Sequence, residues 1–160
     1  MPISKTTRRS APLPYSKSGA REWTQQAFIK ASNPGKDDWF GARLQLSGDG
    51  RVLAVSAQLE DSAARGINAV QNDDSAQEAG AVYFFTRTGD RWAQLAYVKS
   101  ANDDAFDEFG SSLALSRDGT TLAVGARGED SGARGINGDA SGNSLPESGA
   151  VYVFRFSARP

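Results

Sequence analysis

The 160-residue sequence contains no cysteine and no histidine. Without cysteine there is no disulfide framework, and nothing marks the redox compartment. Without either residue there is no Ser-His-Asp or Cys-His relay and no ordinary zinc site. Only carboxylate, hydroxyl, lysine and arginine chemistry remains. Methionine occurs once, and apolar residues make up only 39% of the chain, whereas the 17 glycines point to many tight turns and little helix. No apolar run approaches the roughly 20 residues that span a bilayer. The formal net charge of −1 lacks the concentrated basic surface that phosphate binding needs, which argues against nucleic acid as a general partner.

The charge that is present is unevenly placed. The first twenty residues, "MPISKTTRRSAPLPYSKSGA", carry Lys5, Arg8, Arg9 and Lys17 and no acid. An Arg pair begins a twin-arginine export signal, but no apolar stretch follows it here. Residues 1–20 therefore read as a disordered basic tail, and 21–160 as the folded part.

That folded part is a duplication. Trp23 recurs as Trp92, Phe40-Gly41 as Phe109-Gly110, "LAV" at Leu53 as "LAV" at Leu122, and "GAVY" at Gly80 as "GAVY" at Gly149, all at an offset of 69. Aligning 22–88 with 91–157 needs no gap, and 32 of the 67 pairs are identical. Each unit (about 22–90 and 91–157) reads as short strands. Strand a, "FGARLQLS", alternates apolar and polar residues. An Asp-Gly hairpin follows, supplying the positive φ angles such turns need. Strand b is "RVLAVSA", then comes a long loop over about 59–79, then strand c, "GAVYFFTR", and strand d, "RWAQLAYVKS". The second unit repeats strands a to c. A first copy of strand d, "REWTQQAFIKA", stands alone before the first unit.

Four antiparallel up-and-down strands per repeat predict all-β propeller blades. Without the loop of about 21 residues, the 69-residue period leaves about 48, close to the usual blade length. The rival architecture is a two-sheet sandwich built from one duplication.

From Trp23 to Phe154 the sequence resembles FG-GAP repeats, the blades of the integrin alpha-subunit propeller and of many bacterial surface proteins. The "FG" step, "LSGDG", "LAV", the "EDS…G.N" loop and "GAVY" carry the resemblance, twice and in register. It implies a non-enzymatic binding and adhesion module in an extracellular or cell-surface setting. Two departures stand out. The proline of the "GAP" step is Gln58 in one unit and Arg127 in the other. The calcium loop of integrin repeats is reduced to "SGDG" and "SRDG", where Asp49 and Asp118 are too few for the six to eight oxygens calcium takes.

The connecting segments 32–39, 59–79, 101–108 and 127–148 hold fifteen of the nineteen carboxylates against four basic residues, a net charge of −11. In a propeller these segments share one face, which would attract cations or a basic partner. Asp103, Asp104, Asp107, Asp130 and Asp139, interleaved with Asn, Ser and Gly, are the candidate ligands for Ca2+; the plainer reading is a solvated polar loop. The repeated strings "EDSAARGIN" and "EDSGARGIN" offer Asp61 with Arg65, and Asp130 with Arg134, as ion pairs closing each loop. Asn68 and Asn137 are expected to hold an adjacent turn. The same residues are the candidates for ligand contact.

Trp23 and Trp92 are expected to pack on the outer strand, and Phe40, Phe109, Tyr83 and Tyr152 between blades. Trp39 interrupts an acidic loop and is a candidate platform for a sugar. The functional readings are adhesion to a protein through the acidic face, a lectin, and a structural repeat module or excerpt of a longer propeller. A carboxylate-pair hydrolase has no pair of acids placed at catalytic separation. Two blades do not close a ring, so the lone first strand is expected to complete the second unit of a neighbouring chain, giving a homo-oligomeric ring of three or four copies.

Overall fold

In a computed structural model, residues 22–157 are described. They contain seven strands and no helix. The tail expected over 1–20 lies outside them. Strands β1 (Phe40–Leu46), β2 (Val52–Ala57), β3 (Ala81–Thr88) and β4 (Arg91–Val98) form one antiparallel sheet in chain order. Strands β5 (Phe109–Leu115), β6 (Thr121–Ala126) and β7 (Ala150–Arg155) form a second sheet. Both are up-and-down units of the propeller-blade kind. Among the described residues, β7 pairs with β6 alone and leaves its outer edge open.

Local chemistry sets the hairpins. The Ser47 hydroxyl and the Arg51 amide both donate to Asp49 Oδ1, at 2.7 and 3.0 Å, and Gly50 takes φ 69°. Ser116, Thr120 and Asp118 repeat this at 2.6 and 3.1 Å, with Gly119 at φ 73°. The serine hydroxyl, then the amide, holds each aspartate below the usual carboxylate value. Both acids serve their own turns. Register shifts after Phe40 and Phe109 mark bulges in β1 and β5, where Gly41 and Gly110 sit at φ 98°.

In the first sheet, β2 and β3 are buried on both faces over most of their length, while β1 stays largely exposed. The rear face of this sheet, Ala54, Val82, Phe84 and Val98, packs against Phe109, Leu122, Val124 and Ala126 of the second sheet. Its front face, Val55, Ala57, Tyr83, Phe85 and Tyr97, is partly covered by Ile29 and Ala31 of the N-terminal segment. Strand β3 is therefore buried without a break over its first five residues, while β7, which repeats its "GAVY" start, alternates half-buried and exposed residues. Val82 and Phe84 are 0% and 6% exposed; their counterparts Val151 and Val153 are 71% and 69% exposed. The sequence is shared, and the covering sheet makes the difference.

Residues 22–31 form no strand within this chain, and Ile29 and Ala31 rest against the front face. One expectation is corrected. Trp92 does sit on the outer strand, half-buried, with the Arg87 guanidinium 5.8 Å from its ring centroid and its Nε1–H donating to Gln26 Oε1 at 3.3 Å. Trp23, expected to pack in the same way, is fully exposed.

Candidate functional site

The long b–c loop after β2 is tied to strand d. Its Glu60 carboxylate is 1% exposed and accepts the Tyr97 hydroxyl at 3.0 and 2.9 Å and the Lys99 ammonium at 3.1 Å. Lys99, itself 0% exposed, also donates to the Ser62 carbonyl and lies 2.9 Å from Asp103. Gly66 and Asn68 run beside β4: the Gly66 amide donates to Ser100 O, the Lys99 amide to Gly66 O, and the Tyr97 amide to Asn68 Oδ1. A single bridge, Ile67 with Val98, results. The repeated string is thus a latch that receives strand d.

A second network joins each d–a segment to the following loop. Asn33 donates to Glu60 Oε1 at 2.8 Å and to Gln71 O at 3.0 Å, and accepts the Tyr83 hydroxyl at 2.7 Å. Sixty-nine residues on, Asn102 donates to Glu129 Oε1 at 2.8 Å and to Ala140 O at 3.2 Å, and accepts the Tyr152 hydroxyl at 2.8 Å. Asp61 accepts the Glu78 amide at 2.8 Å, and Asp130 the Glu147 amide at 2.7 Å. Duplicated sequence gives duplicated bonding, and a family model described as FG-GAP repeat matches twice, at 23–85 and 92–154. The chain belongs to the FG-GAP repeat family. No curated protein and no solved structure matches it.

The ion pairs expected within each FG-GAP loop are not formed. Asp61 and Asp130 instead cap turns through the amides just named. Arg65 reaches across to the next d–a segment, donating to Asp103 O at 3.2 Å and Asp104 Oδ1 at 3.0 Å. Arg134 is exposed and makes no ion pair among the described residues. Asn137 is likewise exposed, whereas Asn68 is fixed on β4 rather than on a turn. Both asparagines keep the left-handed backbone, φ 57° and 56°.

The five candidate calcium ligands are spread over separate tasks. Asp103 faces Lys99, and Asp104 accepts Arg65 and, at 3.1 Å, Asn143. Asp107 accepts the Asp104 amide at 3.0 Å, Asp130 the Glu147 amide, and Asp139 the Ser141 amide at 3.0 Å. Among the described residues no three acids gather as an ion-binding group. Burial pushes Asp103 up to about 7, against the opposing pull of Lys99. Burial also pushes Asp107 up to about 6, helped by Asp104, Glu129 and Asp130 and opposed by the Asp104 amide.

The fifteen acids of the connecting segments fall into three groups, of which Asp61, Glu78, Asp104, Glu108 and Asp130 are half-buried. Asp38, Glu60, Asp103, Asp107 and Glu129 are buried and hold the loops together. Asp37, Asp73, Asp74, Asp139 and Glu147 are exposed. Trp39 and Phe106 are exposed beside them, 59% and 54%, both at positive φ. Glu60, Tyr97, Lys99, Asn33 and Asn102 were not singled out from sequence. The recurrence of Asn33, Glu60 and Tyr83 at the 69-residue offset was the signal available.

Proposed function

We propose that this FG-GAP chain is a non-enzymatic binding module that takes a basic protein partner on its loop end. FG-GAP repeats are generally non-enzymatic and typically belong to extracellular or surface proteins; adhesion is the role that fits this setting. The supporting observation is the division of acids described above. Buried carboxylates and asparagines hold the connecting segments in fixed shape, while exposed acids and the aromatics Trp39 and Phe106 stand on those segments. A rigid acidic surface with apolar points loses little entropy on binding and draws cationic partners by long-range attraction.

The test is retention of a panel of purified basic and acidic proteins on the immobilised chain, at low and high salt. Salt-sensitive retention of basic proteins, lost in the triple variant Asp73→Asn/Asp74→Asn/Asp139→Asn, is the expected outcome. Equal retention by that variant would overturn the reading. A lectin is the second reading, favoured by the exposure of Trp39; binding on a glycan array that Trp39→Ala abolishes would establish it instead.

A further inference from the structure

The second latch is built, and among the described residues no strand sits in it. Glu129, 2% exposed, holds Asn102 and Ser131 but has neither the tyrosine nor the lysine that Glu60 receives from strand d. A cavity of about 550 Å³ opens there, lined by Glu129, Ser131, Asn137 and Tyr152 among others. The β7 edge beside it is unpaired, and Val151 and Val153 face outward from the rear of the sheet.

Residues 22–31 have the matching pattern. At the 69-residue offset, Phe28 stands for Tyr97, Ile29 for Val98 and Lys30 for Lys99. The segment already rests on its own first sheet as β4 rests on the second: Ile29 packs into the front core as Val98 packs into the rear one, and Asn33 repeats the bonds of Asn102. Its other side is bare. Phe28 is 81% exposed and Lys30 is exposed, with no sheet against them among the described residues.

We propose that residues 22–31 of a second copy of this chain pair with the β7 edge and complete the second sheet. In the register of β3 with β4, Val82 opposite Val98 and Tyr83 opposite Tyr97, Ile29 of that copy lies opposite Val151 and Phe28 opposite Tyr152. Lys30 then enters beside Glu129 as Lys99 enters beside Glu60. The front face of one copy, where Leu44 and Leu46 are 60% and 52% exposed, covers the exposed valines of the other. The contact is head-to-tail, and its repetition closes into a ring when the rotation allows. The opposite charges of Lys30 and Glu129 and the shared register single out this occupant.

The experiment uses the whole chain. Sedimentation over a dilution series is expected to show assembly into a small discrete multiple, three or four copies. Lys30→Glu changes an exposed residue, so the fold should persist by circular dichroism while association weakens at least about thirtyfold. Lys30→Glu/Glu129→Lys should recover part of it. Because lysine at buried position 129 can fail to fold, a second measurement stands apart from it. The chain has no cysteine, so Ile29→Cys and Val151→Cys can be introduced in separate chains and mixed under oxidising conditions. A mixed disulfide dimer is the expected product. A monomer at every concentration, or a disulfide that forms only within a single doubly substituted chain, would overturn the proposal.

Discussion

At the scale of single residues, burial rather than charge count governs the acids. Asp103 and Asp107 sit at about 7 and about 6, above the ordinary 3.8, and Asp38 is raised too, chiefly by burial. The folded chain therefore binds more protons than the unfolded one between about pH 4 and 7, and stability from these groups falls as pH rises through that window. Asp49, Asp118 and Asp139 are lowered instead, so their contribution is lost only in stronger acid. The melting temperature should thus be higher near pH 5 than near pH 8. Asp107→Asn should flatten that rise in a thermal series; a melting temperature that drops steadily from neutral pH would contradict the assignment.

At the scale of elements, the latch between the b–c loop and β4 is the part most sensitive to a single change. Lys99→Met leaves Glu60 and Asp103 buried without their cation and should cost about 3–5 kcal/mol by urea denaturation. The pair Lys99→Met/Glu60→Gln should cost less than the two changes added, since each removes the reason the other is harmful. The same logic separates two arginines of one repeated string. Arg65 spans to Asp103 and Asp104, whereas Arg134 has no counterpart to reach among the described residues.

At the scale of the whole molecule, the contact between the sheets joins the shared apolar core to backbone hydrogen bonds beside it. The Phe109 amide donates to Ala79 O at 2.8 Å and the Glu108 amide to Glu78 O at 3.0 Å. A Cβ at Gly80 would lie 2.6 Å from the Phe109 nitrogen, while at Gly149, its repeat partner, the nearest atom is Ala126 O at 3.5 Å. Both glycines carry positive φ, 87° and 73°, so alanine strains both. Gly80→Ala should cost about 1–3 kcal/mol more than Gly149→Ala in denaturation at a dilution where copies are apart. Equal costs would mean that the sheets give way easily at this point.

The strands, the hairpins and the family were legible in the sequence because their causes are local. Alternation in "FGARLQLS" and the Asp-Gly turns at 49 and 118 act over a few residues, and the 69-residue offset shows them twice. Partners across units were not legible. Arg65 and Arg134, or Val82 and Val151, share sequence surroundings but not neighbours, since each neighbour comes from the next unit along the chain. Trp23 and Trp92 likewise share a repeat position but not their surroundings, Trp92 meeting Arg87 and Gln26 while Trp23 is exposed. What the chain encodes by itself is the blade; which side chains are buried, paired or left open is decided by what packs against it.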